Sequence, residues 1–156
     1  MKVFTEAVHY ALAVSIWSCL ILSPLLAAGA NLPLPAVIEA GFNLWSKGSG
    51  VDTALGTWQR GGLMEASNKA AGQAGYFRSL THGLGNYKSH ELIQTKEVSP
   101  AARVIYLSIN FERGVVFGRF LVYRTEKDWV VQNMDFNERP EAIMPWLALE
   151  GDRTTE

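Results

Sequence analysis

Apolar residues recur along this chain with two different periods, and the change falls near Gly85. From Ala36 the spacing is helical: Ile38, Phe42 and Trp45 stand at i, i+4 and i+7, with Glu39 and Asn43 off the stripe. Gly48-Ser49-Gly50 ends that run, as glycines past a helix C-terminus do. Asp52 reads as the N-cap of a short second helix with Leu55 and Trp58 on one side, and Gly61-Gly62 interrupts again. A third helical stretch is predicted from about Leu63 to Leu80. It places Ala66, Ala70, Ala74, Phe77 and Leu80 on one face, and residues so small predict close approach to a neighbour. Gly83 and Gly85 close the helical half.

Beyond them the period drops to two. Tyr87 to Val98, Ala102 to Glu112, Val115 to Thr125 and Trp129 to Asn137 each read as strands. The connections Ser99-Pro100-Ala101, Arg113-Gly114 and Glu126-Lys127-Asp128 are too short for anything but antiparallel neighbours. The expected fold is therefore α+β, with N-terminal helices packed on a four-stranded antiparallel meander. Glu141 to Leu149 reads as a short helix broken at Pro145, and residues 150–156 as a loose polar tail.

Turn length decides which side chains share a face. A two-residue turn at Arg113-Gly114 puts Ile105, Leu107, Ile109 and Phe111 with Val116, Phe120 and Val122. That face is almost wholly apolar and is expected under the helices. A three-residue turn at Ser99-Pro100-Ala101 adds Glu91, Ile93 and Thr95 to it. The opposite face carries Tyr106, Ser108, Asn110, Phe117, Arg119, Leu121 and Tyr123, with His90 and Gln94 beside them. Aromatics mixed with hydrogen-bonding groups suit a protein–protein contact, and a homodimer is the simplest partner. A half-exposed sheet with scattered aromatics is the plainer alternative.

The N-terminus changes the picture of where the protein works. Lys2 precedes an uncharged run from Ala11 to Leu26, and Ala28-Gly29-Ala30 supplies small residues before a cut at Asn31. Residues 1–30 read as a signal peptide, or as an uncleaved anchor, and residues 31–149 as one exported domain, periplasmic or secreted. An uncleaved segment is the one route to a membrane in this reading. The single cysteine, Cys19, lies in the leader, so the mature part has neither a disulfide nor a thiolate metal site. A formal charge of −1 without a basic block argues against nucleic acid as a partner.

Few residues invite chemistry. A two-residue turn at Glu126-Lys127 points Asn133 and Asp135 inward, with Gly118 opposite Asp135; a three-residue turn points both outward. Glu91 is the other carboxylate expected on the inner face. A carboxylate in an apolar pocket has a raised pKa and can act as acid or base. Gly118 either leaves room for a ligand or kinks the strand. Candidate ligand-binding residues are therefore Glu91, Gly118, Asn133 and Asp135. His82 and His90 have no partner at metal-ligand spacing, and the mature part lacks phosphate-loop, nucleophile-elbow and metal motifs. No cofactor and no metal are expected.

The stretch Phe117-Gly118-Arg119-Phe120-Leu121-Val122-Tyr123-Arg124, a charged turn, then Trp129-Val130-Val131-Gln132-Asn133-Met134-Asp135-Phe136, resembles the last two strands of small exported members of the nuclear-transport-factor-two-like superfamily. The resemblance covers roughly residues 36–144. It implies a cone-shaped fold, a pocket between helices and concave sheet, and often a dimer through the outer face. Some members are steroid isomerases or dehydratases, and the isomerase type needs a carboxylate base plus a Tyr and a protonated carboxylic acid. The expected function is a non-enzymatic exported protein that binds a small apolar ligand or a partner protein. The alternative is a small-pocket isomerase, dehydratase or hydrolase using Asp135 or Glu91.

Overall fold

The computed structural model describes residues 32–65 and 67–146. The expected leader (1–30), Ala66, the end of the C-terminal helix and the tail (150–156) lie outside the described residues. What is described is an α+β fold, with helices on one face of an open four-stranded antiparallel sheet.

Helix α1 spans Ala36–Leu44. Pro35 starts it: its φ of −57° is already helical, and its carbonyl accepts from the Ile38 and Glu39 N–H groups. Ile38 and Phe42 are buried, as the stripe predicts. A wide π-type turn, Trp45–Ser49, ends the run where Gly48 takes φ 85°, a conformation open to glycine at little steric cost. Helix α2 spans Gly50–Gln59 and buries Ala54, Leu55 and Trp58. Asp52 lies inside its first turn rather than capping it, and pairs with Arg78. Helix α3 spans Asn68–His82, later than the predicted start at Leu63. Ser67 caps it by accepting from the Ala70 N–H at 3.1 Å, and residues 61–65 form turns rather than helix.

Strands β1 (Tyr87–Ser99), β2 (Ala102–Phe111), β3 (Val115–Arg124) and β4 (Trp129–Asn137) pair in chain order. The β2–β3 turn consists of Glu112 and Arg113, since the Phe111 N–H donates to the Gly114 carbonyl at 2.8 Å. This differs from the expected Arg113-Gly114, but by an even shift, so the faces are unchanged. Ile105, Leu107, Ile109, Val116, Phe120 and Val122 are all completely buried beneath the helices. Five rings from both layers meet there: Trp58 lies 4.8 Å from Phe42 and 5.2 Å from Phe120, and Phe77 stacks on Phe136 at 3.9 Å.

A short helix α4, Pro140–Ile143, follows the sheet. Ile143 and Met144 are buried with Tyr106, and Val104, Phe117 and Trp146 pack around them. The chain thus turns back over the outer face of its own sheet.

Candidate functional site

Two single-residue bulges decide where the candidate carboxylates point. Thr95 pairs with Ile105 on the inner face, as expected. Ile93 is then an extra residue in β1, and a bulge of one inverts the residues before it as far as the next irregularity, at Lys88. Leu92 and His90 pair with Leu107 and Ile109 inside, while Glu91 pairs with Ser108 outside. The expectation of Glu91 inside and His90 outside is therefore reversed.

The same device operates in β4. The Glu126-Lys127 turn does have two residues, closed by the Thr125 N–H donating to the Asp128 carbonyl at 2.9 Å. Val131 accordingly faces inward opposite Val122, but Gln132 is extra. Met134 and Phe136 then face Phe120 and Gly118 on the inside, and Asn133 and Asp135 face Leu121 and Arg119 on the outside. The inward expectation for Asn133 and Asp135 is overturned. Energetics favour the bulge, since burying Met and Phe side chains stabilises by about 1.5–3 kcal/mol each, whereas an unpaired buried carboxylate is costly. The broken alternation between Val131 and Met134 was the available signal.

Gly118 alone of the four candidate ligand residues faces inward. A Cβ there would lie 3.3 Å from the Phe136 ring and 3.4 Å from Phe120. The room beside this glycine is taken by aromatic side chains. On the outside, Asp135 Oδ2 accepts from Arg119 Nη2 at 2.7 Å and from Asn133 Nδ2 at 3.0 Å. Gln73 of α3 donates to both Asn133 Oδ1 and Asp135 Oδ1 at 3.2 Å. Asn133 and Asp135 are thus brought together, while Glu91 lies apart and accepts from Asn110 Nδ2 at 3.2 Å.

The expected interface residues divide into covered and open sets. Tyr106 and Ser108 are buried, and Phe117 packs beneath Ile143 and Met144, so the chain's own C-terminal segment occupies that part. Asn110 and Arg119 are half-buried. Tyr123 is 46% exposed and forms a patch with Leu121, Gln132 and Leu63, the last 78% exposed. Leu63 comes from the α2–α3 loop, which runs so close to the β4 edge that a Cβ at Gly62 would strike the Val131 carbonyl oxygen.

Sequence reasoning missed a hydrogen-bonded group under α1. His90 stacks on Phe42 at 4.0 Å, Tyr87 Oη lies 2.8 Å from His90 Nδ1, and His90 Nε2 lies 3.7 Å from Glu39 Oε2. Burial pushes the Tyr87 phenol up to about 12, with the Glu39 charge adding to it. Burial likewise lowers the His90 pKa, against an opposing pull from Glu39. A neutral histidine accepting from a protonated tyrosine fits both directions. The i, i+3 spacing of Tyr87 and His90 gave no hint, because residues three apart on a regular strand face opposite ways; the irregularity at Lys88 brings them together.

Among the described residues, no group of three or more His, Cys, Asp and Glu side chains is placed to hold a metal ion. No described helix is long and apolar enough to cross a membrane. No family model, curated protein or solved structure matches this chain.

Proposed function

We propose that this is an exported, non-enzymatic protein that pairs with a second copy of itself through the open part of the outer sheet face. The observation that carries the reading is the patch where Leu63 of the α2–α3 loop meets Leu121 and Tyr123 of β3, with Leu63 and Tyr123 exposed to water. Contiguous exposed apolar surface of this kind favours association. Arg119 and Asp135, half-exposed on the same face, offer both charge signs to a twofold-related copy, as a self-complementary interface requires. Membership of the nuclear-transport-factor-two-like superfamily remains part of this proposal, since helices followed by an antiparallel meander agree with it. Export rests on the leader-like residues 1–30.

Sedimentation equilibrium tests the pairing. The expected result is a dimer for the native chain and a monomer for Tyr123→Asp with unchanged circular dichroism. A native chain that stays monomeric at every concentration, or a Tyr123→Asp variant that stays dimeric, sinks it.

A further inference from the structure

A cleft of about 410 Å³ opens between α1, the end of α2 and the start of β4. That volume is in the range of small-molecule sites. Its walls are apolar. Ala36 and Ala40 stand one helical turn apart, with Val37 between them, and Trp129 and Val130 line it from β4, the Trp129 ring on the inner face. The Arg103 guanidinium carbon lies 4.5 Å from the Trp129 ring centroid and holds the indole by a cation–π contact.

The polar groups of the cleft are Thr57, Arg60 and Asp128. Arg60 and Asp128 carry opposite charges and line one cleft. Yet among the described residues neither is in a salt bridge, with the other or with any third group. Their backbones are fixed. The Asp128 N–H donates to Thr125 Oγ1 at 3.0 Å and its carbonyl accepts from that hydroxyl at 2.8 Å, while Arg60 leaves α2 just before Gly61 at φ 76°. Thr57 Oγ1 spends its proton on the Thr53 carbonyl at 2.8 Å, so it faces a ligand as an acceptor.

We infer that this cleft binds a small zwitterion with an apolar side chain, the chemistry of a free aromatic or branched-chain α-amino acid. The carboxylate pairs with the Arg60 fork, and the ammonium group donates to the Asp128 carboxylate and Thr57 Oγ1. The side chain lies against Trp129 and Val37. Two opposite charges that do not quench each other are complementary to a ligand dipole. A simple anion or cation would leave one of them opposed, and a purely apolar ligand would leave both unused.

Isothermal titration calorimetry with L-phenylalanine and L-leucine tests this on the purified protein. N-acetyl-phenylalanine lacks the ammonium group and phenylalanine amide lacks the carboxylate. Arg60→Gln and Asp128→Asn are exposed substitutions that keep the fold, as circular dichroism would verify. The expected result is binding of at least one free amino acid, weakened about tenfold by either variant and by either masked analogue, the loss of one ion pair. The Trp129 indole N–H resonance should shift on binding. Absence of binding by both amino acids, or binding that survives both variants or both analogues unchanged, would overturn the assignment.

Discussion

Asp135 faces Arg119 across the β3–β4 ladder, its Oδ2 2.7 Å from Nη2, on the outer face of the sheet. The side chains are 31% and 39% exposed, which places the pair between a surface and a buried bridge. Water screens much of its attraction, so the pair contributes modestly. Its larger role is geometric, since Gln73 and Asn133 also converge on this carboxylate and tie α3 to the edge of β4.

Asp135→Asn tests that account. The amide oxygen still accepts from Gln73 while the charge is gone, so the expected loss is about 1 kcal/mol in urea unfolding. A loss beyond roughly 3 kcal/mol is the behaviour of a broken buried ion pair, and would contradict a half-solvated one.

Gly41 is a packing requirement of the α1–α2 contact. A Cβ at this position would overlap the Trp58 indole, which is wholly buried and donates from Nε1 to the Ile38 carbonyl at 3.0 Å. Gly41→Ala therefore forces the ring off its bond. The expected cost is about 3 kcal/mol, at the upper end for overpacking and in spite of the gain in helix propensity. Equal or higher melting temperature for this variant would show that α1 can shift outward freely.

His90 gives stability a specific pH dependence. Its folded pKa lies below 6.5 because the ring is buried under α1. Folding then favours the neutral form. Its contribution is complete above pH 6.5 and is lost as pH falls below 6.5 toward the folded pKa. Urea unfolding between pH 7 and pH 5 should show this decline, and His90→Gln should flatten it relative to the native chain. Identical slopes for the two proteins would assign the acid limb to other groups.

The elements were legible in the sequence because their signals are local. Strand β4 runs from Trp129 to Asn137 as read, and the other strands differ by one residue at an end. The apolar face of β2 and β3 also followed from alternation, since an even change in turn length leaves the faces in place. Helix α3 starts later than the apolar spacing suggests because Ser67 caps it, accepting from the Ala70 N–H.

The candidate site was not legible in the same way. The faces of Glu91, Asn133 and Asp135 follow from the distance to the nearest turn only in a regular strand, and one extra residue in each strand, Ile93 or Gln132, reverses them. A bulge is chosen by the whole sheet, according to which register buries Met134 and Phe136 and leaves Asp135 in reach of Arg119. The covering of Tyr106 by Ile143 and Met144, the room between α1 and β4, and the meeting of Glu39 with His90 are likewise contacts between distant segments. Periodicity and turn chemistry act over a few residues and determined where the chain is helix or strand. Register and coverage depend on competing long-range burial, and the tertiary structure alone decided them.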